Sequence, residues 1–277
     1  MSKSLGNVID PHDMLDKFHV DTFRWYLCKE SPYGGDLSFS EESMRDMHNA
    51  ELCDTLGNLL HRITNLTHKY CAGVIPDVQA EGVLDYGSII GQYNTKMQSY
   101  ELQGGANVVM HALRDLNAYL QESAPWRLKG EANSSKRQTI VRTALESCYV
   151  LGHLLLPFIP NGGRTLFLKL GKKPVALCDL KTDGNNLTVG DAVSIGDVMY
   201  TKSLPPGAAD SSNVVRETYE EAQKRKKEAK AKAQASSKRG QEANADQCDF
   251  TKMDVRILIP HLLYPTHHFT HRFVSGK

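Results

Sequence analysis

Leu52, Leu56, Leu59, Leu60, Ile63 and Leu66 recur at steps of three and four residues, which puts them on one face of a single helix. A face this apolar has to be covered, and other segments of the chain repeat the same period. Met14, Leu15, Phe18, Phe23, Tyr26 and Leu27 follow it across residues 13–29, until "SPYGGD" interrupts it. Ser38 followed by Glu41 reads as a capping box opening the long helix, and "AGVIPD" closes it just past Tyr70. Further helices are predicted over residues 84–100, from the Gly104–Gly105 break to Ser123 before Pro125, over 136–156 up to "PFIPNGG", and through Lys169. The predicted fold class is mainly α, a helix bundle with short antiparallel connections.

The bundle pattern does not run to the end. Residues 175–204 contain β-like pieces with turn residues between them and read as a hairpin. "PPGAADSSN" then reads as a flexible linker. "RETYEEAQKRKKEAKAKAQASSKR" has no apolar stripe and reads as a solvated, partly helical tether. Its cationic run, residues 224–232, is also suited to RNA phosphates. With a net charge of only +1 over 277 residues, affinity for nucleic acid has to come from local patches of this kind. Cys28, Cys53, Cys71, Cys148, Cys178 and Cys248 are spread without a C-x-x-C pair, which favours thiols in a reducing compartment over a disulfide framework or zinc site. His261, His267, His268 and His271 lack a second ligand cluster, so no metal site is expected. No apolar run is long enough to span a bilayer, and a cytoplasmic protein without membrane contact is expected.

"MSKSLGNVIDP" at residues 1–11 resembles the second signature loop of class I aminoacyl-tRNA synthetases, K-M-S-K-S, without its first lysine. The likeness continues into "VDTFRWYL" (20–27), which is similar to the stem-contact helix of those enzymes. The leucyl, isoleucyl, valyl and methionyl enzymes share the loop, so the bundle has to choose among them. "LGNLLHR" (56–62) is similar to the anticodon-reading helix of the methionyl-tRNA synthetase family, and "SAPWRLKG" (123–130) to its second anticodon element. "LLLPFIPNGGRTLFLKLG" and "VSIGDVMYTKSL" resemble that family's last helices and its return segment. The resemblance thus covers residues 1–204 and implies the C-terminal part of a eukaryote-like cytosolic enzyme that attaches methionine to tRNA(Met).

This reading divides the chain into five parts. Residues 1–38 end the catalytic domain, 39–174 form the anticodon-binding bundle, 175–204 return along it, 205–247 are the linker, and 248–277 are an incomplete OB-fold remnant. The remnant is suggested by "DFTKMDVR" (249–256), after which the pattern is lost, and a barrel of that type needs five strands. The resemblance places the nucleotide-binding α/β domain before the loop, so the isolated chain is expected to be inactive.

The resemblance implies a catalytic role for Lys3. Adenylate formation concentrates negative charge on the ATP phosphates, and a mobile ammonium closing on them lowers the barrier. Met1, Ser2 and Ser4 would shape that ATP loop. ATP, with Mg2+, and methionine are the implied substrates of the intact enzyme, and synthetase-complex proteins are further partners. Asn58 and Arg62 are four residues apart and share a helix face. Spacing alone describes a polar solvent face. Within "LGNLLHR", the amide and guanidinium suit the Watson–Crick edge of an unpaired base, cytosine above all. Trp126 would stack on a base, with Pro125 holding the backbone beside it and Arg127 and Lys129 touching phosphates. The competing reading is a stand-alone, non-catalytic tRNA-binding or assembly factor, and an H-I-G-H element encoded upstream in the same frame would decide against it.

Overall fold

The computed structural model describes residues 9–31 and 34–204. The helices are α1 (Pro11–Lys17), α2 (Val20–Glu30), α3 (Glu41–Met47), α4 (Asn58–Cys71), α5 (Tyr86–Gln98), α6 (Leu102–Ser123), α7 (Ser134–Leu155) and α8 (Pro160–Lys169). A π-helical stretch, His48–Gly57, joins α3 to α4 without a break. Short 3-10 turns occur at Glu131–Asn133 and Leu177–Asp179. The mainly α bundle expected from the spacing is therefore present.

The core forms where α4, α6 and α7 meet. Leu59, Leu60 and Ile63 pack with Leu113, Leu116, Leu120, Leu145 and Leu151, all at or below 1% exposure. From Ile140 to Leu155 every residue of α7 is buried, so this helix runs through the middle of the bundle rather than along its side. A smaller cluster of Met14, Phe18, Tyr26 and Met44 packs α1, α2 and α3 together.

Several sequence expectations are corrected. The period across residues 13–29 belongs to two helices, because Phe18 is extended and His19 caps α2 by accepting from the Asp21 amide at 3.1 Å. The cap of α3 is Ser40, whose Oγ accepts from Ser43 N at 3.2 Å. Ser38 instead offers its carbonyl to the Tyr26 hydroxyl, 3.3 Å away. Gly104 and Gly105 lie within α6, and the turn before it is made at Tyr100, with φ +58. Gly105 lets α5 and α6 close together, since a Cβ there would stand 2.8 Å from Met97 Sδ.

The hairpin expected over 175–204 is replaced by a strap. Its backbone is spent on helix ends and loops: Ile75 N donates to Asp191 O (3.0 Å), Val193 N to Gly73 O (2.8 Å) and Ser194 N to Lys169 O (2.7 Å). The only bridge among the described residues is an antiparallel one between Val74 and Ala192. Buried side chains hold the rest of the strap. Both Glu146 carboxylate oxygens accept from it, Oε2 from Asn186 N at 3.0 Å and Oε1 from Leu187 N at 2.9 Å. Arg142, paired with Glu146 at 2.8 Å, donates to Leu187 O at 2.8 Å. Helix interiors make their backbone bonds internally and leave only the terminal groups unpaired, so an irregular segment lying on them finds its partners at helix ends and side chains.

Cys28, Cys53, Cys71, Cys148 and Cys178 are free thiols. Among the described residues, no helix is long and apolar enough to cross a membrane. The expectations for the signature loop, tether, OB-like remnant and C-terminal histidines fall outside the described residues.

Candidate nucleic-acid interface

α4 carries the candidate face. Its apolar side (Leu59, Leu60, Ile63, Leu66) is buried, so Asn58, Arg62, Asn65 and Lys69, at steps of four, three and four, line the opposite edge. Asn58 is exposed, and its Nδ2 donates to Asp54 Oδ1 at 3.0 Å. Asp54 in turn accepts from Lys202 of the strap at 2.8 Å, and this hydrogen bond raises the Lys202 pKa. One amide N–H of Asn58 is thus fixed by the helix, and its second N–H and its carbonyl are left for a ligand edge.

The π-helical stretch lies immediately before this face. Asn58 N bonds to Cys53 O, five residues back, and Thr55 Oγ1 to Ala50 O at 2.8 Å. Asn117 of α6 donates to the Thr55 carbonyl at 3.0 Å. A wider helical turn changes the direction in which the next residues point, so the stretch helps set where Asn58 and Arg62 face.

α6 ends at Ala124, which adopts φ +38. Pro125 is buried, and the turn it starts presents Trp126 half-buried at the surface. Arg127 N donates to Ala124 O at 2.8 Å and Leu128 N to Pro125 O at 3.3 Å, closing the turn. The fold brings the two sequence-predicted elements together here: the Arg62 guanidinium lies over the Trp126 ring, 5.7 Å from its centroid. Arg62 Nε is buried and has no hydrogen-bond partner, and burial lowers the pKa of the group. The guanidinium nevertheless stays charged at neutral pH. The Arg62 cation over the indole lies one helical turn along α4 from Asn58, so an amide, a guanidinium and a half-buried aromatic ring are gathered on this side of the bundle.

The aromatic–cation pattern continues along α4. Lys69 lies 5.3 Å from the Tyr70 ring centroid and Arg137 of α7 lies 5.2 Å from it. Arg127 and Lys129 are exposed beside the Trp126 turn. Asn65 and Lys69 follow Arg62 on the same α4 edge, and the step of three and four could have been read further along the sequence. Arg137, contributed by another helix, could not.

α2 is fixed to the bundle by buried polar groups. Trp25 Nε1 donates to Glu51 Oε2 at 2.7 Å, and Glu51 also pairs with Lys29 (3.2 Å) and Arg114 (3.1 Å). His48 Nδ1 is 2.8 Å from Thr22 Oγ1, and its Nε2 is 2.9 Å from the Thr201 carbonyl. Met1, Ser2, Lys3 and Ser4 lie outside the described residues.

Two family models match the chain. The one described as "tRNA synthetases class I (M)" matches residues 1–64, and "Anticodon binding domain of methionyl tRNA ligase" matches residues 78–211. Among curated proteins, a methionine–tRNA ligase of Caldanaerobacter subterraneus subsp. tengcongensis is 33% identical over 178 residues, covering 62% of this chain and 28% of the relative. One from Thermotoga maritima is 29% identical over 208 residues, covering 73% of this chain and 33% of the relative. The chain therefore spans about a third of the length of the curated relatives it matches. A similar solved structure is the free methionyl-tRNA synthetase of Mycobacterium tuberculosis, with a TM-score of 0.62 and 22% identity over 72% of this chain and 42% of that one. The same enzyme bound to methionyl-adenylate gives 0.63 and 24%, over 73% and 41%. With the two family models matching successive segments, 1–64 and 78–211, this chain belongs to the methionyl-tRNA synthetase family.

Proposed function

We propose that this chain is the tRNA-anticodon-binding portion of a cytoplasmic methionine–tRNA ligase, reading the CAU anticodon of tRNA(Met) with Asn58, Arg62 and Trp126. The observation that carries the reading is the seating of Arg62 on Trp126 beside Asn58, which assembles base-edge donors and a stacking surface from two separate elements. Pro125 supports the turn, and Arg127 and Lys129 supply phosphate contacts that carry no sequence information. In the proposed division, residues 39–174 are the anticodon bundle, 1–38 the end of the catalytic domain, 175–204 its return, 205–247 a basic tether and 248–277 an OB-fold remnant. In the intact enzyme Lys3, with Met1, Ser2 and Ser4, would meet ATP, accompanied by Mg2+, during activation of methionine. Other synthetase-complex proteins are proposed partners.

The test is a titration of CAU and non-cognate stem-loops against wild type, Asn58→Ala, Arg62→Ala, Trp126→Ala and a chain ending at residue 204, at several salt concentrations. A stacked base contributes about 1–3 kcal/mol, so Trp126→Ala should weaken CAU binding roughly 5- to 150-fold. The tether should add a salt-sensitive increment that is blind to sequence. Unchanged CAU preference in Trp126→Ala and Arg62→Ala would refute the assignment, and dependence on the tether alone would make the chain a nonspecific RNA binder.

A further inference from the structure

The Trp126 turn is held by α7 as well as by its own hydrogen bonds. Three successive carbonyls after the tryptophan point back to side chains at the start of that helix. Arg137 Nη1 donates to Leu128 O and to Gly130 O, each at 2.9 Å, and Asn133 Nδ2 donates to Lys129 O between them at 2.7 Å. Gly130 takes φ +80, a conformation that turns its carbonyl toward Arg137 at little steric cost. The same guanidinium lies over the Tyr70 ring of α4. Its Nε is buried without a partner, as is that of Arg62. The turn is thus tied to α4 at two points, by Arg62 on Trp126 and by Arg137 on Tyr70. The second tie commits one arginine nitrogen to the backbone of the turn rather than to solvent.

We propose that Arg137 is a positioning residue for anticodon recognition: it sets the placement of the Trp126 indole against the Asn58–Arg62 face and acts through the turn, without contacting the RNA. The proposal rests on the reading of that face as the anticodon site. A single guanidinium nitrogen that serves two carbonyls, on a cation held over a ring, fixes the turn without contributing to the apolar core, so its loss should loosen the turn rather than unfold the bundle. It also distinguishes Arg137 from the exposed Arg127 and Lys129, whose proposed role is direct phosphate contact.

The test uses the 277-residue chain labelled with 5-fluorotryptophan, which gives two fluorine signals, from Trp25 and Trp126, assigned with Trp126→Phe. Arg137→Gln is expected to shift or broaden the Trp126 signal and leave that of buried Trp25 in place. It should weaken CAU stem-loop binding by at least about fivefold, the low end of a stacking contribution, with the salt dependence unchanged. In a Trp126→Ala background the same substitution should change affinity by no more than about twofold, the scatter expected of independent sites. An unmoved Trp126 signal would overturn the proposal. So would equal weakening in both backgrounds with a shallower salt dependence, because Arg137 would then be a phosphate contact. If Arg137→Gln does not fold, Arg137→Met keeps the aliphatic stem, removes both donors and is judged by the same criteria. If Trp126→Ala by itself leaves CAU binding unchanged, the anticodon reading fails, and the fluorine signal alone then decides whether Arg137 positions the ring.

Discussion

Asp21→Asn is expected to destabilise the chain by about 2–4 kcal/mol, because one buried carboxylate joins three parts of the fold. Asp21 is fully buried in the first turn of α2. Its Oδ2 accepts from Gly162 N at 2.7 Å and from the Tyr200 hydroxyl at 2.9 Å, and its Oδ1 accepts from Asn161 N at 3.3 Å. The first residues of α8 therefore have their free amides served by a side chain from another helix, and the strap is tied to the same group. Burial and the neighbouring Asp21 charge raise the Tyr200 pKa above its ordinary value, so the phenol is a donor at neutral pH. The amide of Asn keeps the shape and one acceptor but turns an N–H toward a donor and removes the charge at a helix N-terminus. Hydrogen bonds to a charged group contribute about 1.5–3 kcal/mol each, and charge at a helix end about 0.3–1 kcal/mol, up to about 2 when partly buried. Counting one lost charged bond and the helix-end term gives the 2–4 kcal/mol, or about 4–16 °C in Tm for a unit of this size. Urea and thermal unfolding followed by circular dichroism would measure it for Asp21→Asn, Tyr200→Phe and the double variant. The double variant should lose less than the sum of the singles. A Tm within about 2 °C of wild type for Asp21→Asn, or strict additivity, would refute this account.

Acid should weaken the fold through His153, whose Nδ1 donates to Tyr149 O (2.7 Å) and whose Nε2 accepts from Val175 N (3.0 Å), with burial pushing its pKa down to about 4. Because the unfolded chain takes up this proton first, its stabilisation is full above about pH 6.5 and is lost as pH falls toward 4, on the order of 3 kcal/mol in all. Urea midpoints across that range should slope less steeply in His153→Gln, and parallel slopes would refute the assignment. Gly162→Ala should cost about 1–3 kcal/mol by thermal unfolding, since its Cβ would overlap the Tyr200 hydroxyl; an unchanged Tm would show that Tyr200 can move aside. Arg142→Met leaves Glu146 buried without its cation and should cost about 3–5 kcal/mol in urea unfolding, more than the Arg142→Met/Glu146→Met double variant; the reverse order would refute a buried pair.

Periodicity carried the bundle because burying a 3.6-residue apolar stripe is a local requirement written into the order of residues. The face of Asn58 and Arg62 was legible for the same reason, as four-residue spacing on a helix whose other side is apolar. Pro125 marked the turn that presents Trp126. What remained hidden involved residues distant in sequence. Ser40 rather than Ser38 caps α3, a choice made where the Tyr26 hydroxyl takes the Ser38 carbonyl. The strap over 175–204 has the composition of strands, but strands need a neighbour, and its backbone found helix ends and the Glu146 carboxylate instead. The π-helical stretch leaves no mark on the apolar spacing that would separate it from α-helix. Arg62 on Trp126, and Arg137 on Tyr70 and the Trp126 turn, pair side chains from different helices. Spacing along one helix determines which face a residue shares, but which residue of another helix meets it is decided only when the helices pack.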